Sequence, residues 1–224
     1  MQIKINLKIF LFLIIFILTK QIKIYAIIML FALIHELGHL VMGIVLNFKP
    51  ESISIIPTGF SIKFKANNNN YNKKIKNGNL LAVKKTIIAS AGPLTNAILV
   101  LCAIIYYKLT NNLYIANIPL DLLIYSNILI FIFNLLPIYP LDGGRILKEM
   151  IHINCGIYLS YTMTNKIANI TIIILTILSS VAILIYKNIA ILFIITYLWV
   201  LVINENKKYN MKMKIWESYK KYSS

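Results

Sequence analysis

The chain is poor in acid, in cysteine and in charge of any kind. Of 224 residues only 7 are Asp or Glu, against 23 Lys or Arg, so that 13% of residues are charged and the formal net charge is +16. An ordinary globular chain carries about 25% charged residues, and the shortfall excludes a conventional soluble surface. Two cysteines occur. Cys102 falls in an apolar run and Cys155 in a stretch that reads as a loop, at no metal-ligand spacing, which excludes a cysteine-based metal site and leaves two free thiols without a role. No basic cluster is interleaved with aromatics, so no nucleic-acid partner is expected. The lysines of the N-terminus precede an apolar stretch with no small-residue cleavage site after it, which predicts a retained anchor rather than a removed signal.

What fills the space is hydrocarbon. Hydrophobic residues make up 59% of the chain and the mean hydropathy is +0.76, the composition of an integral membrane protein. Six apolar segments are predicted as spans: Ile5–Thr19, Ile24–Leu46, Thr86–Tyr107, Leu122–Leu136, Ile167–Tyr186 and Ile189–Ile203. The first is short for a bilayer, so Lys8 is expected to snorkel and the helix to extend back over Met1–Lys4. Between the second and third spans, Ser52–Ile55 and Phe60–Lys65 alternate apolar and polar residues around Pro57-Thr58-Gly59. This predicts a small β-hairpin at the membrane surface, over about residues 52–65. Residues 67–85, with four consecutive asparagines and several lysines, read as a flexible solvated loop. The fold class is thus an all-α polytopic membrane protein with one hairpin. Its domain is expected over residues 1–203, followed by a basic, interfacial tail over 204–224.

Charge orients this layout. With the N-terminus inside, the lysines and arginines gather at the N-terminus, between spans two and three, between spans four and five, and in the tail. The other side keeps only Lys20, Lys23, Lys108 and Lys187. The asymmetry predicts both termini in the cytoplasm, and the lipid bilayer with its anionic headgroups as one partner.

Against this apolar background His35-Glu36-Leu37-Gly38-His39 stands out. Two imidazoles four residues apart lie on one helix face and can reach a single zinc ion. Glu36 falls beside that face, where a carboxylate can take a proton from water attacking a peptide carbonyl. Three such residues in a membrane helix cost several kcal/mol unless paired, metal-bound or facing a cavity, which makes a fortuitous match a poor explanation.

Two further stretches belong with it. Ala89-Ser90-Ala91-Gly92-Pro93-Leu94-Thr95-Asn96 opens the third span with small residues that allow close helix contact, a proline that loosens the ladder, and an asparagine able to bond across helices. Asn134-Leu135-Leu136-Pro137-Ile138-Tyr139-Pro140-Leu141-Asp142-Gly143-Gly144-Arg145 ends the fourth. Pro137 and Pro140 break the helix at membrane depth, which is tolerated only inside protein or against a cavity. Gly143 and Gly144 let the backbone of Asp142 approach a neighbour, so Asp142 is the candidate third ligand; by itself, Asp-Gly at a helix end is an ordinary turn. His152 reads as a surface residue in the loop that follows.

Taken jointly, H-E-L-G-H on one span, A-G-P-x-x-N on the next and N-x-x-P-x-x-P-L-D-G-G-R after it resemble the site-2 protease family of intramembrane zinc metalloproteases. The resemblance implies one zinc per chain held by His35, His39 and Asp142, with Glu36 as general base. It places Asn134 beside the metal, holding the substrate backbone or steadying the oxyanion, and Gly92, Pro93, Asn96, Pro137, Pro140, Gly143 and Gly144 in structural positions near the site. It implies a bacterial cell membrane and a membrane-tethered protein substrate. The substrate expected is a cytoplasmic regulator such as a sporulation sigma-factor precursor, or alternatively an anti-sigma factor or a signal-peptide remnant, with inhibitory membrane proteins as candidate partners. The hairpin would offer an edge strand to an unwound substrate. Sporulation members of the family carry a C-terminal nucleotide-sensing CBS domain. Here about twenty residues follow the last span, so no regulation through such a domain is expected, and no insertion of PDZ size occurs. Two rivals come from other classes. An idle membrane scaffold of the same fold would not need ligands, base and Asn134 intact, and a zinc carrier would need a series of polar residues crossing the membrane.

Overall fold

The computed structural model describes residues 2–5, 17, 22–56, 59–65, 78–115, 118–187 and 190–223, and they fall into two compact units, Met1–Asn134 and Leu135–Ser224. The first holds strand β1 (Gln2–Ile5), helix α1 (Ile22–Val45), strands β2 (Lys49–Ile56) and β3 (Gly59–Lys65), helix α2 (Gly78–Thr110), the short strands β4 (Tyr114–Ile115) and β5 (Ile118–Pro119), and helix α3 (Leu120–Asn134). The second holds helices α4 (Asp142–Tyr186) and α5 (Ala190–Ser223).

Helix α1 is apolar all round, and what separates its faces is bulk rather than polarity. Leu30, Leu33, Leu37, Val41 and Ile44 point outward at helical spacing, while Phe31, Ala32, His35, His39 and Gly43 are buried. Helix α2 repeats the arrangement: Ile87, Leu94, Ile98, Leu101 and Ile105 are exposed, and the inward positions are small, with Ala82, Ala89, Ala91 and Ala103 buried. A stripe of large exposed aliphatics opposite a stripe of alanines suits a helix whose outer solvent is lipid and whose neighbours must come close. Phe31, Ala32, Ala103, Leu120, Leu123 and Ile130 of α1, α2 and α3 form the core of this unit.

The helices stop where the residues dictate. Asn47 takes a left-handed conformation (φ 64°) and lets Phe48 N–H reach the Gly43 carbonyl at 2.9 Å, closing the end of α1. Asn111 (φ 52°) does the same after α2, its N–H bonding Tyr107 O at 2.8 Å. Asparagine tolerates this conformation better than any other non-glycine residue.

β2 and β3 pair antiparallel from Lys49↔Lys65 to Ile56↔Gly59, with a register shift between Pro50 and Ser52. The turn residues Pro57 and Thr58 and most of the asparagine-rich loop lie outside the described residues. Three expectations are corrected here. Gln2–Ile5 is not an extension of the first helix but a strand that pairs parallel with β2, Gln2 opposite Ser52; the rest of the first predicted span lies outside the described residues save Ile17. The third helix begins at Gly78 rather than Thr86. The stretch holding His152 and Cys155 is not a loop: α4 runs from Asp142 to Tyr186, interrupted only at Gly156 (φ 84°, ψ 171°), a conformation that glycine alone adopts without strain. Likewise the basic tail continues α5 as helix to Ser223.

Among the described residues, three helices are long and apolar enough to cross a bilayer, within Ile22–Val45, Asn79–Thr110 and Asp142–Ile185, and Leu120–Asn134 is a shorter apolar helix. The described residues are mostly helical, as an all-α membrane fold requires.

Candidate metal centre

His35 and His39 sit one turn apart on the buried face of α1, each about 3% exposed. Their rings meet edge to face with centroids 4.8 Å apart, and their Nε2 atoms are 3.1 Å from one another.

The other nitrogen of each ring decides what those Nε2 atoms are. His39 Nδ1 lies 2.7 Å from the carbonyl oxygen of Ile88. A carbonyl only accepts, so Nδ1 carries the proton. Gly92 N is also 3.3 Å from this nitrogen, but a protonated nitrogen cannot accept, and the shorter contact governs. His35 Nδ1 lies 2.5 Å from Asn96 Oδ1. The Asn96 amide donates in turn to Asn127 Oδ1 at 2.8 Å, and the Asn127 amide donates to the Leu123 carbonyl at 2.8 Å. That terminal carbonyl orients the whole chain: each asparagine turns its NH2 away from the histidine, so Asn96 presents oxygen and His35 Nδ1 is protonated too.

With Nδ1 of each ring engaged in this way, the two Nε2 atoms face one another, 3.1 Å apart in a buried site. A histidine whose Nδ1–H is tied to a carbonyl, with Nε2 as the candidate ligand atom, is the arrangement found around bound metals. The fit of this pair to zinc thus rests on the hydrogen bonds of the first unit alone.

Glycines make the close approach possible. A Cβ on Gly92 would fall onto the Nε2 atoms of both histidines, and one on Gly38 would meet Thr95 Oγ1 and the Ala91 carbonyl. Pro93 lies within α2, next to the glycine that touches the ligands. Glu36 is half-buried beside the pair.

Asp142 belongs to the second unit. It is buried at 5% and opens α4, directly after the extended Leu141, with Arg145 Nη1 3.8 Å from its Oδ1. The segment before it is a chain of tight turns: Ile138 N–H bonds Leu136 O at 2.7 Å, Leu141 N–H bonds Ile138 O at 2.8 Å, and the Tyr139–Pro140 peptide is cis. The two glycines after Asp142 answer to this segment. A Cβ on Gly143 would strike the carbonyls of Leu135 and Leu136, and one on Gly144 the backbone of Ile138 and Tyr139. Pro137 and Pro140 thus lie in a turn segment that is not helical, and Gly143 and Gly144 let α4 begin folded against the backbone of Leu135–Tyr139. Asp142 is buried, as His35 and His39 are in the first unit, and each of the three side chains carries an atom able to ligate a metal ion.

Asn134, the last residue of α3, donates its amide to Ile130 O of its own helix at 3.1 Å. The residue that sequence reasoning missed is Asn127. It is fully buried and anchors the relay to His35; its signal was a lone amide in an otherwise apolar helix.

The model of Peptidase family M50 matches residues 112–178. Stage IV sporulation protein FB of Bacillus subtilis (strain 168) is 29% identical over 130 residues, covering 58% of this chain and 41% of that protein; the chain thus spans less than half the length of this curated relative. The site-2 protease from Methanocaldococcus jannaschii shares the fold with a TM-score of 0.64 at 22% identity, covering 91% of this chain and 89% of that one. The M50 match, the sporulation relative and the metalloprotease motifs in one sequence together support a member of the site-2 protease family.

Proposed function

We propose that this chain is an intramembrane zinc metalloendopeptidase that cuts a membrane-tethered protein. The observation that carries the reading is the pair of Nε2 atoms 3.1 Å apart in a buried site, with the opposite ring nitrogens engaged by Ile88 O on one side and by the Asn96–Asn127 relay on the other. His35, His39 and Asp142 would hold one zinc ion, three protein ligands being the number that hydrolytic zinc sites use. A bound zinc ion supplies Lewis acidity to the attacking water and the scissile carbonyl.

The chain's own residues do the rest. Glu36 accepts the proton of the attacking water and returns it to the departing amine nitrogen, a contribution worth about 10²–10⁴-fold. Asn134 has a second amide N–H besides the one bonded to Ile130, and it steadies the substrate carbonyl as charge develops there. A helical substrate has its carbonyls tied up, so it must unwind before attack, and the β2–β3 hairpin at the membrane surface offers backbone partners to the extended form.

The substrate that fits best is a cytoplasmic regulator tethered to the membrane, of the sigma-factor-precursor kind. The sporulation relative supports this, as does the distribution of lysines that puts both termini and the metal end of the helices on the cytoplasmic side. A general site-2 protease acting on an anti-sigma factor or signal-peptide remnant is the second reading, favoured by the structural likeness to the archaeal site-2 protease.

Reconstituted protein and a membrane-tethered precursor provide the test. Wild type is expected to cleave, and Glu36→Gln to keep its zinc while losing at least about 10²-fold in rate. Cleavage by Glu36→Gln at the wild-type rate would remove Glu36 from the mechanism. Activity only on substrates whose soluble domain lies on the outer face would refute the sporulation-type substrate and leave the general one.

A further inference from the structure

The second unit holds a cavity of about 130 Å³ between α4 and α5 that shares no residue with the metal ligands. Its walls carry three lysines, Lys148, Lys208 and Lys212, and one acid, Glu205. Glu205 is already used, in an ion pair with Lys208. The other two ammoniums press on one phenol ring: Lys148 Nζ is 3.8 Å and Lys212 Nζ 4.1 Å from the centre of Tyr161. Lys212 also donates to the Tyr161 oxygen at 2.7 Å, which leaves that hydroxyl's own proton free to be given elsewhere. Two like charges sharing one ring repel, and the cation–π contact offsets only part of that.

The floor of the cavity is apolar and braced. Val202 and Ala168 are buried there, and Asn169 and Asn206 lock the two helices with reciprocal amide bonds at 3.3 and 2.9 Å. Into this floor is set Thr164, 4% exposed, whose hydroxyl has no hydrogen-bond partner among the described residues. A buried hydroxyl without a partner costs about 1–3 kcal/mol, and here it lines a cavity rimmed by cations.

We propose that this cavity binds a phosphate group, presented either by an anionic phospholipid headgroup or by a small soluble phosphate compound. The charges match: three lysines against one glutamate leave an excess of two positive charges, and a phosphate monoester carries about −1.5 to −2 at neutral pH. The hydrogen bonding matches as well, since the lysines, the Tyr161 hydroxyl and Thr164 all donate and an ionised phosphate oxygen only accepts. A carboxylate would satisfy fewer of these donors than a phosphate monoester, having two terminal oxygens rather than three, and a phosphodiester headgroup adds its two ester oxygens to the two terminal ones. Tyr139, whose ring lies 4.8 Å from Lys148 Nζ, also lines the cavity, so an occupant touches the turn segment that leads to Asp142.

The test uses the full-length protein in a neutral detergent at fixed ionic strength set by chloride. Thermal unfolding is followed while glycerol 3-phosphate, or dihexanoylphosphatidylglycerol below its micellar concentration, is titrated in, with uncharged dihexanoylglycerol as control. The wild type is expected to gain Tm saturably. Lys148→Met, Lys212→Met and Thr164→Val are each expected to need about tenfold or more of the probe for half the effect. Thr164→Val keeps shape and charge, and so reports on the site even where a lysine variant folds poorly. A response to glycerol 3-phosphate assigns a soluble phosphate compound, and a response to the charged lipid alone assigns a headgroup. The absence of a saturable gain with either probe, or an equal gain in Thr164→Val and wild type, overturns the proposal.

Discussion

A histidine offers a metal one nitrogen, and which one depends on what holds the other. At His39 the holder is the Ile88 carbonyl, which no side-chain substitution removes. At His35 it is a relay of two asparagines ending on Leu123 O, and that relay can be cut. Asn96→Ala is expected to lower zinc affinity about 10–100-fold, measured by competition with a chelator, as loss of an outer partner usually does. Asn127→Leu should act in the same direction but more weakly, because Asn96 keeps its oxygen and loses only the partner that aims it. Equal zinc affinity in wild type and Asn96→Ala would mean that His35 is oriented by packing alone. At this scale the sequence was informative where polarity broke an apolar run: His35, Glu36, His39, Asn96 and Asp142 were all visible that way. Asn127 obeyed the same rule and was passed over because it stands in no motif; its partner is 31 residues away, and a single chain read in order does not show which helices will face.

At the scale of elements, helix packing is set by what is missing from the side chains. α1 and α2 meet where Gly38, Ala91 and Gly92 give up their bulk, and the two histidine Nε2 atoms fill the volume a Cβ on Gly92 would take. Gly92→Ala is therefore expected to cost about 1–3 kcal/mol of overpacking and to lose zinc with it, read as a lower Tm together with a lower metal content. Gly156→Ala makes the contrast. No atom lies within 4 Å of its Cβ position, so the cost of about 1–3 kcal/mol comes from forcing a side chain into the φ 84° kink. A Gly156→Ala protein as stable as wild type would show that the kink relaxes into continuous helix. The elements hardest to foresee were those decided by distant partners. Gln2-Ile3-Lys4-Ile5 alternates as a strand should, yet its pairing strand lies some fifty residues on, and its lysine and apolar neighbours also suit the start of an anchor. The polar run after Arg145 resembled a loop because it lacks the apolar density of a span, but α4 continues through it, packed against α5 by Lys148, Tyr161 and Lys212.

At the scale of the whole molecule the governing quantity is charge. The +16 net charge is distributed so that, on the six-span layout, only Lys20, Lys23, Lys108 and Lys187 fall on the outer side. A reporter fused after Ser224 is expected to be active in the cytoplasm, and activity only outside would reverse the orientation and the side from which substrate enters. Six spans are more than the three helices that, among the described residues, meet length and hydropathy outright. The difference lies in the first predicted span, in the 15-residue α3, and in α5, whose apolar first half is joined to a basic second half. Accessibility labelling of single cysteines placed at Lys20 and Lys187 would count the crossings, with both expected on the outer face.

The account stands on one zinc ion shared by His35, His39 and Asp142, and metal content tests it most directly. Wild type, His35→Ala, Asp142→Ala and Glu36→Gln are purified in detergent with matched helical content, and zinc per chain is measured by elemental analysis. About one zinc per chain is expected in wild type and in Glu36→Gln, and close to none in His35→Ala and Asp142→Ala, because removing one of three protein ligands leaves too few for a stable site. Full zinc in Asp142→Ala would contradict the three-residue centre and the mechanism built on it.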